Sequence, residues 1–360
     1  MPKIARKRRE QHSFKWNQYP DEFLPLWVAD MDFAVCPAIN EALRKRTDNE
    51  TFGYTNTWPS LLESVVHWCR EHYDWQIQQD WIVWTQGVVP AFHLVNQLFQ
   101  KDDSSILIPT PNYPPLLNSA KVLQQTFHCL PHFHANQRWH LDFDALETML
   151  KTQKVSILSL ANPANPSGYV FSESEINKLS QLCLEHNVLI CSDEIHCDLV
   201  YNGHQHTPIG KVSPDNSITL MAASKTFNIA GLNTAFAIIP DPSIRQKFST
   251  AARHQIGSPT LLGLTATETA FSQAEPWRLE TLEYLQQNRD IIYQWGSERG
   301  LDKHYLPAAT HLYWLKIPTK EWVSNKVMPS NGVDFGDSDY SRINFACDRK
   351  LLKEALSRLG

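Results

Sequence analysis

Segments with a helical spacing of apolar residues alternate along the chain with short apolar runs. Within residues 59–73, Leu62, Val66 and Cys69 recur three or four positions apart, so they would share one face of an amphipathic helix. Similar spacings, helped by capping and proline signals at several starts, predict helices over residues 37–47, 89–99, 172–186, 242–255, 260–272, 275–297 and 348–359.

The short apolar runs between these helices predict buried strands. They cover residues 81–84, 105–108, 155–160, 188–191, 217–222 and 235–239. The resulting strand–helix–strand order is typical of a parallel α/β sheet. The pattern changes near the C-terminus, where 310–316 and 341–346 alternate between apolar and polar residues, as strands with one exposed face do. We therefore predict an α/β fold with a mainly parallel sheet and a smaller α+β domain.

Polar residues directly follow two of the predicted strands. Asp193 comes after 188–191, and Ser224 and Lys225 come after 217–222. Ligands bind at the carboxyl ends of the strands in open α/β sheets, so we expect Asp193 and Lys225 to meet at one crevice. Burying a lysine is costly unless it is paired or neutral. Two interpretations follow: a structural ion pair, or an amine whose lowered pKa suits imine chemistry.

Other residues near the strand ends have side chains or backbone groups suited to a ligand. Gly87 stands between a strand and a helix, where free backbone N–H groups can bind phosphate, although one glycine alone is weak evidence. Tyr113 lies in a proline-rich loop and either stacks on a ligand ring or covers the core. Tyr54 lies beside a glycine-bearing turn, and Asn165 follows the strand predicted at 155–160.

One ligand would use all of these groups. Lys225 would form an imine with an aldehyde, and Asp193 would pair with a basic ring nitrogen. The helix start at Gly87 would hold a phosphate, and an aromatic side chain such as Tyr113 would cover the ring. Pyridoxal phosphate (PLP) has this set of features, so we predict a PLP site.

Sequence motifs support this prediction by resemblance to a known family. N-P-A-N-P-S-G (162–168), S-D-E-I-H (192–196) and S-K-T-F-N (224–228) resemble fold-type I PLP enzymes, the aspartate aminotransferase superfamily of classes I and II. The chain is more closely similar to the cystathionine β-lyase branch typified by MalY and PatB, through L-P-L-W-V-A-D-M-D-F (24–33), F-G-Y-T (52–55), Q-G-V-V-P (86–90), P-N-Y-P-P (111–115), D-E-I-H-C-D-L (193–199) and R-I-N-F-A-C (342–347).

The resemblance extends from about Phe14 to the C-terminus and implies a domain organisation. A large domain with a mainly parallel, seven-stranded sheet would bind PLP and span residues 46–255. Residues 1–45 would form an N-terminal arm and part of the small domain, and residues 256–360 would form the small C-terminal domain. The implied assembly is a homodimer with shared active sites.

The resemblance also implies roles for individual residues. Lys225 would carry the cofactor, Asp193 would hold its ring nitrogen, and Tyr113 would stack on the ring, and these three are the implied catalytic residues. Further cofactor contacts would come from Asn165, His196, Gly87, Val88, Val89, Ser224 and, from the other subunit, Tyr54. Arg342 would hold the substrate α-carboxylate in its bidentate fork, and the other implied substrate contacts are Val28, Ala29 and Tyr54.

Three features depart from the family pattern. Ala222 stands three positions before Lys225, where the family often has a phosphate-binding serine or threonine. Asn233 replaces an arginine typical of aminotransferases, which the lyase branch often lacks too. The segment 317–336 is shorter than the corresponding segment in relatives. These departures concern the substrate channel more than the core chemistry.

The branch implies a PLP-dependent carbon–sulfur β-lyase. Its substrates would be cystathionine or other S-substituted L-cysteines, and its products a thiol, pyruvate and ammonia. An amino-acid aminotransferase is the second hypothesis, because the same site can protonate the cofactor instead of expelling a β-substituent. A PLP-binding regulatory protein with residual lyase activity is the third, and an α/β domain with a structural lysine–aspartate pair is the fourth.

The amino-acid composition and charge narrow the range of possible protein classes and binding partners. The 360 residues are 42% hydrophobic and 20% charged, as in ordinary globular proteins, and a net charge of −5 gives no electrostatic basis for binding nucleic acid. No run approaches the ~18 apolar residues of a membrane helix. The seven cysteines lack metal-type spacing, so we expect reduced thiols in a cytoplasmic protein without a metal. A solvated N-terminal arm is expected from Lys3, Arg6, Lys7, Arg8 and Arg9.

Overall fold

The computed structural model describes residues 2–5, 8–49, 51–301 and 303–360. Its strands are β1 Leu24–Pro25, β2 Ile82–Thr85, β3 Ser105–Thr110, β4 Phe127–Ala135, β5 Arg138–Leu141, β6 Val155–Ala161, β7 Leu189–Asp193, β8 Ser217–Met221, β9 Ala235–Ile238, β10 Leu312–Leu315, β11 Val327–Met328, β12 Ser330–Asn331 and β13 Ser341–Asn344.

The eight predicted helices are confirmed, and the structure contains further helices that the pattern did not predict. The helices are α1 Phe14–Asn17, α2 Pro37–Thr47, α3 Pro59–Tyr73, α4 Val88–Phe99, α5 Pro114–Val122, α6 Phe143–Thr152, α7 Glu173–Glu185, α8 Ile209–Val212, α9 Pro242–Gln255, α10 Leu261–Gln273, α11 Glu275–Glu298, α12 Thr319–Ser324, α13 Gly332–Phe335 and α14 Arg349–Ser357, with short 3₁₀ helices at Gln79–Trp81 and Ala230–Leu232. Within the described ranges, none of these helices is long and apolar enough to cross a membrane.

The main sheet has the strand order β2-β9-β8-β7-β6-β3-β4-β5. Its centre is parallel, because β8, β7, β6, β3 and β4 pair in the same direction, whereas β2, β9 and β5 run antiparallel to their neighbours. Every residue of β7 and β8 is buried, which explains their nearly continuous apolar sequence. The described sheet has eight strands instead of the seven implied, since β5 pairs with the C-terminal part of β4.

A proline-rich stretch was predicted to lack regular structure, and this is only partly right. Residues 109 and 110 complete β3 and residues 111–113 form a loop, but α5 begins at Pro114, where the missing N–H of proline costs no helix hydrogen bond. Tyr113 is therefore the residue that precedes the helix, not the middle of a long loop. The chain from 116 to 154, for which the pattern gave no prediction, contains the rest of α5 with β4, β5 and α6.

The smaller sheet has the order β10-β13-β12. Every residue of its two predicted strands, β10 and β13, is buried, contrary to the prediction of one exposed face. Aromatic rings cover its apolar side chains, as where Trp314 stacks on Tyr340 with 5.1 Å between ring centroids. Its polar side chains are also inside the protein because they are hydrogen-bonded: Arg342 donates to the Trp27 carbonyl. The alternation in sequence therefore reflects a hydrogen-bonded face, not a solvated one.

The N-terminal arm is only partly solvated. Arg6 and Lys7 lie outside the described residues, but the Arg8 guanidinium forms an ion pair with the buried Asp32 carboxylate, so a fully solvated arm is wrong for this residue. The Lys15 side chain is buried as well, with its Nζ 3.1 Å from the same carboxylate, and burial lowers the pKa of Lys15 to about 8. The arm is thus attached to the body of the protein near residue 32.

One hydrophobic cluster connects all three predicted sequence ranges. Ile39 from α2, Phe227 after β8 and Tyr284 from α11 belong to it and are buried. Two further clusters fill the faces of the main sheet around Ile108 and Leu158. The division of the chain at residues 45 and 255 stays a prediction.

Candidate active site

A cavity of about 540 Å³ lies at the carboxyl ends of β6 and β7, between the main sheet and the β10-β13-β12 sheet. Most of the predicted site residues line it together: Val28, Ala29, Val88, Val89, Tyr113, Asn165, Asp193, His196, Ser224, Lys225 and Arg342. Gly87 precedes this lining by one residue, as the residue that starts α4. Tyr54 is fully exposed and does not line the cavity of its own chain.

The Lys225 amine points into the segment that precedes α2. Its Nζ donates a hydrogen bond to the Ala29 carbonyl at 2.9 Å. Burial, with a smaller contribution from the nearby Arg342 guanidinium, lowers the pKa of Lys225 to about 8. Desolvation disfavours the ammonium form, so an uncharged, nucleophilic amine is accessible near neutral pH.

Asp193 is the last residue of β7, and its carboxylate is buried. Its Oδ1 accepts a hydrogen bond from the Ile195 N–H at 3.2 Å. Burial raises the pKa of Asp193 to about 7, while that hydrogen bond and the Lys225 amine act in the opposite direction. The acid and the amine therefore share one crevice, as the strand ends predicted, and a cationic partner would stabilise the carboxylate there.

The start of α4 presents backbone N–H groups at one end of the cavity. Gly87 has φ of +112°, a conformation that favours glycine, and it turns the chain from β2 into the helix. No described side chain caps this helix, so the N–H groups of its first turn are available. Val88 and Val89 of that turn line the cavity, and Ser224 lines it too. This arrangement suits a phosphate group.

Tyr113 is held at the cavity wall by the residue before it. Its N–H donates to the Asn112 Oδ1 at 2.7 Å, and the Asn112 N–H donates to the Phe335 carbonyl at 3.2 Å. The loop before α5 is thereby attached to α13. Burial, and to a lesser degree the Asp193 carboxylate, raises the pKa of Tyr113, so its hydroxyl stays protonated.

His196 is a neutral imidazole in the cavity wall. Burial lowers its pKa to about 3, with the charges of Lys225 and Arg342 acting in the same direction. Its ring packs edge-on against His311 with 5.6 Å between centroids. Its Nδ1 is buried and has no hydrogen-bond partner among the described residues, so it is a polar atom that a bound ligand would satisfy.

The Arg342 guanidinium closes the opposite side of the cavity. It donates to the Asn165 Oδ1 at 3.0 Å, to the Trp27 carbonyl at 2.7 Å and to the Ser330 Oγ at 2.9 Å. These acceptors are all neutral, so the positive charge remains available to an anionic ligand. Burial lowers the pKa of Arg342 to about 10, which leaves it a cation at neutral pH.

Several lining residues were not predicted from the sequence. Trp27 lies within a quoted motif but carried no assigned role, and Tyr19 precedes that motif. Most of the others come from the segment 317–336, which is shorter than the corresponding segment of relatives: Thr319, Met328, Pro329, Ser330, Asn331, Asp334 and Phe335. The remaining ones are Pro114, Ala161, Pro163, Ile195 and Ala230.

Comparison with known proteins identifies the family. The family described as Aminotransferase class I and II matches residues 21–359. The chain belongs to this family. The match covers all the predicted residues that line the cavity, from Val28 in the segment before α2 to Arg342 in β13.

Similar proteins in the family are named as lyases. "Cystathionine beta-lyase PatB" of Bacillus subtilis (strain 168) is 34% identical over 98% of each chain. "Protein MalY" of Escherichia coli (strain K12) is 28% identical over 96% of this chain and 94% of that protein. The crystal structure of a PLP-bound C-S lyase from Staphylococcus hominis has 30% identity and a TM-score of 0.90, covering 99% of this chain and 95% of that one. The predicted fold class and branch resemblance are confirmed.

Proposed function

We propose that this protein is a PLP-dependent carbon–sulfur β-lyase acting on cystathionine or other S-substituted L-cysteines. The observation that carries the proposal is the cavity that joins Lys225, Asp193 and Arg342. The chain bearing it is 34% identical over 98% of its length to a relative named as a cystathionine β-lyase. The amine, the acid and the guanidinium are the groups that PLP chemistry on an α-amino acid requires.

The residues of the cavity fit PLP. The Lys225 amine would bond the cofactor aldehyde. The buried Asp193 carboxylate would be stabilised by a cationic partner if it held a protonated ring nitrogen. The uncapped start of α4 would hold the phosphate. Tyr113 would cover the ring. Asn165 and His196, whose buried Nδ1 has no described partner, would lie near the 3-oxygen.

The chain's own residues would carry the proton and charge steps. When bound, PLP supplies an electron sink for the pair of electrons left at the substrate α-carbon. Arg342 would bind the substrate α-carboxylate and fix the orientation of the α-carbon. Lys225, once released from the cofactor, would take the α-proton as a general base. A pKa of about 8 suits a base that works near neutral pH. Asp193 would keep the proton on the ring nitrogen.

The proposed elimination balances without any further reactant except water. The α-carbon loses a proton to Lys225, the bond between the β-carbon and sulfur breaks, and the sulfur leaves with the bonding electrons as a thiolate. Hydrolysis of the remaining three-carbon fragment consumes one water and gives pyruvate and ammonia.

The test is a turnover assay of the PLP-loaded protein with cystathionine, an S-alkyl-L-cysteine, and L-alanine plus a keto acid. We expect pyruvate and a free thiol in equal amounts from the first two substrates. Pyruvate can be followed with a coupled dehydrogenase and the thiol with a colorimetric reagent. If no S-substituted cysteine in the panel gives pyruvate, the lyase proposal is wrong.

The aminotransferase alternative rests on the description of the matched family. It predicts a different outcome of the same assay. Alanine would convert the bound cofactor to its amine form in a half-reaction, and a keto acid would restore the aldehyde form. Elimination requires neither event, so a keto-acid dependence of turnover would favour transamination.

Arg342→Lys is expected to raise KM for cystathionine while changing kcat much less. A lysine keeps the positive charge but cannot make the paired hydrogen bonds of a guanidinium, and a hydrogen bond to a charged group contributes about 1.5–3 kcal/mol. We expect kcat/KM to fall about 10- to 100-fold, since each tenfold corresponds to about 1.4 kcal/mol. Arg358→Lys, directly after α14 and outside the cavity lining, is the control. An unchanged KM in the Arg342 variant would contradict the assignment.

The assembly we propose is a homodimer with shared active sites. Tyr54 supports it, because this aromatic residue and the neighbouring Phe52 are both largely exposed in the single chain. Tyr54 would reach the phosphate or the substrate in the cavity of the other subunit. A cytoplasmic location is part of the same proposal and is supported by the seven free cysteines, six of them buried.

A further inference from the structure

The segment Trp27–Phe33, here called the strap, is irregular backbone that borders the active-site cavity. Trp27, Val28 and Ala29 line the cavity directly. The strap has no strand or helix partner over most of its length, so its carbonyl groups need other donors. Each of its carbonyls accepts a hydrogen bond within the described residues.

Two of these donors are the proposed catalytic and substrate-binding residues themselves. The Lys225 Nζ donates to the Ala29 carbonyl at 2.9 Å, and the Arg342 guanidinium donates to the Trp27 carbonyl at 2.7 Å. The strap therefore connects the amine to the guanidinium across the cavity. The position of the strap therefore affects where the Lys225 amine and the Arg342 guanidinium lie.

Two asparagines hold the same segment. The Asn228 amide donates to the carbonyls of Met31 and Phe33 at 3.0 and 2.8 Å, and its Oδ1 accepts from the Met31 N–H at 2.9 Å. The Asn344 amide donates to the carbonyls of Val28 and Asp30 at 2.5 and 2.6 Å. Four carbonyls of the strap are thus fixed by two side chains.

The locations of the two asparagines connect them to the chemistry. Asn228 lies in the same turn as Lys225, at residues 223–228, and Asn344 lies on β13, on the same face as Arg342 and two residues beyond it. Asn344 is completely buried, and its Oδ1 also accepts from the Ala346 N–H at 2.8 Å. Each asparagine therefore attaches the strap to the backbone that carries one functional group.

We propose that Asn228 and Asn344 are positioning residues that hold the strap in register with Lys225 and Arg342. Asn228 sets the strap relative to the lysine, and Asn344 sets it relative to the arginine. The inference rests on the proposed function, because that function gives Lys225 its bond to the cofactor and Arg342 its bond to the substrate carboxylate. Neither asparagine touches the substrate in this proposal.

The proposal predicts that the two asparagines affect different kinetic constants. Asn344→Ala is expected to weaken carboxylate binding, raising KM for cystathionine about tenfold with kcat nearly unchanged. Asn228→Gly is expected to lower kcat about tenfold with KM nearly unchanged, because a small misplacement of the base slows proton transfer. Glycine is used at 228 because that residue has φ of +57°, where alanine would be strained.

The chain offers a matched control for each variant. Asn187→Gly replaces an exposed asparagine with φ of +55°, outside the cavity. Asn216→Ala removes an asparagine that donates to the Val188 carbonyl at 3.0 Å, also outside the cavity. Both controls are expected to keep kcat and KM within about twofold of the parent protein, as distant sites act independently.

Two measurements test the proposal without relying on turnover. The dissociation constant of L-alanine, read from the visible absorbance of the bound PLP, is expected to rise about tenfold in Asn344→Ala and to stay nearly unchanged in Asn228→Gly. The absorbance maximum of the lysine-bound cofactor is expected to shift in Asn228→Gly alone. These signals distinguish a failure of the strap proposal from an absence of lyase activity.

Asn344→Asp provides a second variant if Asn344→Ala does not fold. Aspartate keeps the oxygen that accepts from the Ala346 N–H, and it replaces the amide donor to the strap with a carboxyl oxygen, which also adds an ionisable group at this buried position. It should reproduce the weaker binding of L-alanine. The proposal is overturned if both constants change by the same factor in either variant, if neither constant changes, or if the control variants behave like the test variants.

Discussion

Lys225→Ala protein is expected to lose pyruvate formation by at least about 10³-fold, the upper range for removal of a general base. The loss should be at least as large as that of any other substitution in the cavity, because the same amine would bond the cofactor and then take the α-proton. Burial lowers the pKa of Lys225 to about 8, so the neutral amine that both steps require is available near neutral pH. The visible absorbance of the lysine-bound cofactor should disappear together with turnover.

Lys247→Ala is the control for this experiment. The Lys247 amine is on the surface, donates to the Leu98 carbonyl at 2.6 Å and does not line the cavity. Its removal should leave turnover and absorbance unchanged. Lys225→Arg serves as a second variant that retains a long cationic side chain and so limits any loss of folding. Retention of a tenth or more of the parental turnover in either Lys225 variant would contradict the proposed role.

The central part of the site could be predicted from sequence because it depends on local patterns. Asp193 and Lys225 each follow a short apolar run, and parallel topology brings the ends of such runs to one edge of the sheet. Gly87 precedes a helix with a clear spacing of apolar residues, so the free backbone N–H groups at the start of that helix could also be predicted. In each case a few neighbouring residues determine the geometry.

Arg342 and the strap could not be placed in the same way. Arg342 alternates with apolar residues, so the local pattern alone placed it on an exposed face, and only the motif around it indicated a binding role. It is buried because its donors find acceptors in Trp27 and Asn165, which are far away in sequence. Hydrogen bonds between distant segments leave no periodic signal, so the roles of Asn228 and Asn344 also became visible only in the structure.

Tyr54 shows a different limit of prediction from the sequence of a single chain. Its motif resembles that of the lyase branch, but nothing within its own chain brings it to the cavity. A residue that acts in a second subunit has no local or intrachain pattern from which its role can be derived. Its contribution stays a prediction that depends on the proposed dimer.

Asp193→Asn is expected to lower turnover about 10³-fold, comparable to losing a major electrostatic contact of a catalytic site. The amide has nearly the same shape but no charge, so it cannot keep a proton on the ring nitrogen of the cofactor. The electron sink would then be weaker at the step in which Lys225 takes the α-proton. Cofactor should still bind, because Lys225 and the start of α4 are intact. Turnover and absorbance, measured on the same sample, separate these two effects.

Cofactor-free protein gives an independent check of the same residue. The pKa of Asp193 is raised by burial from 3.8 to about 7, so the folded protein binds a proton more tightly than the unfolded chain does. Folding stability contributed by this group therefore falls as pH rises from about 4 to about 7. Cofactor-free Asp193→Asn protein should gain stability relative to the parent over this range in urea unfolding, even though its PLP-loaded form is nearly inactive. Asp241→Asn, at the start of α9, should show neither effect, since asparagine caps a helix as well as aspartate does. If Asp193→Asn instead lowers stability at every pH and leaves turnover within tenfold of the parent, the carboxylate is structural and the proposed electron sink has no support in this protein.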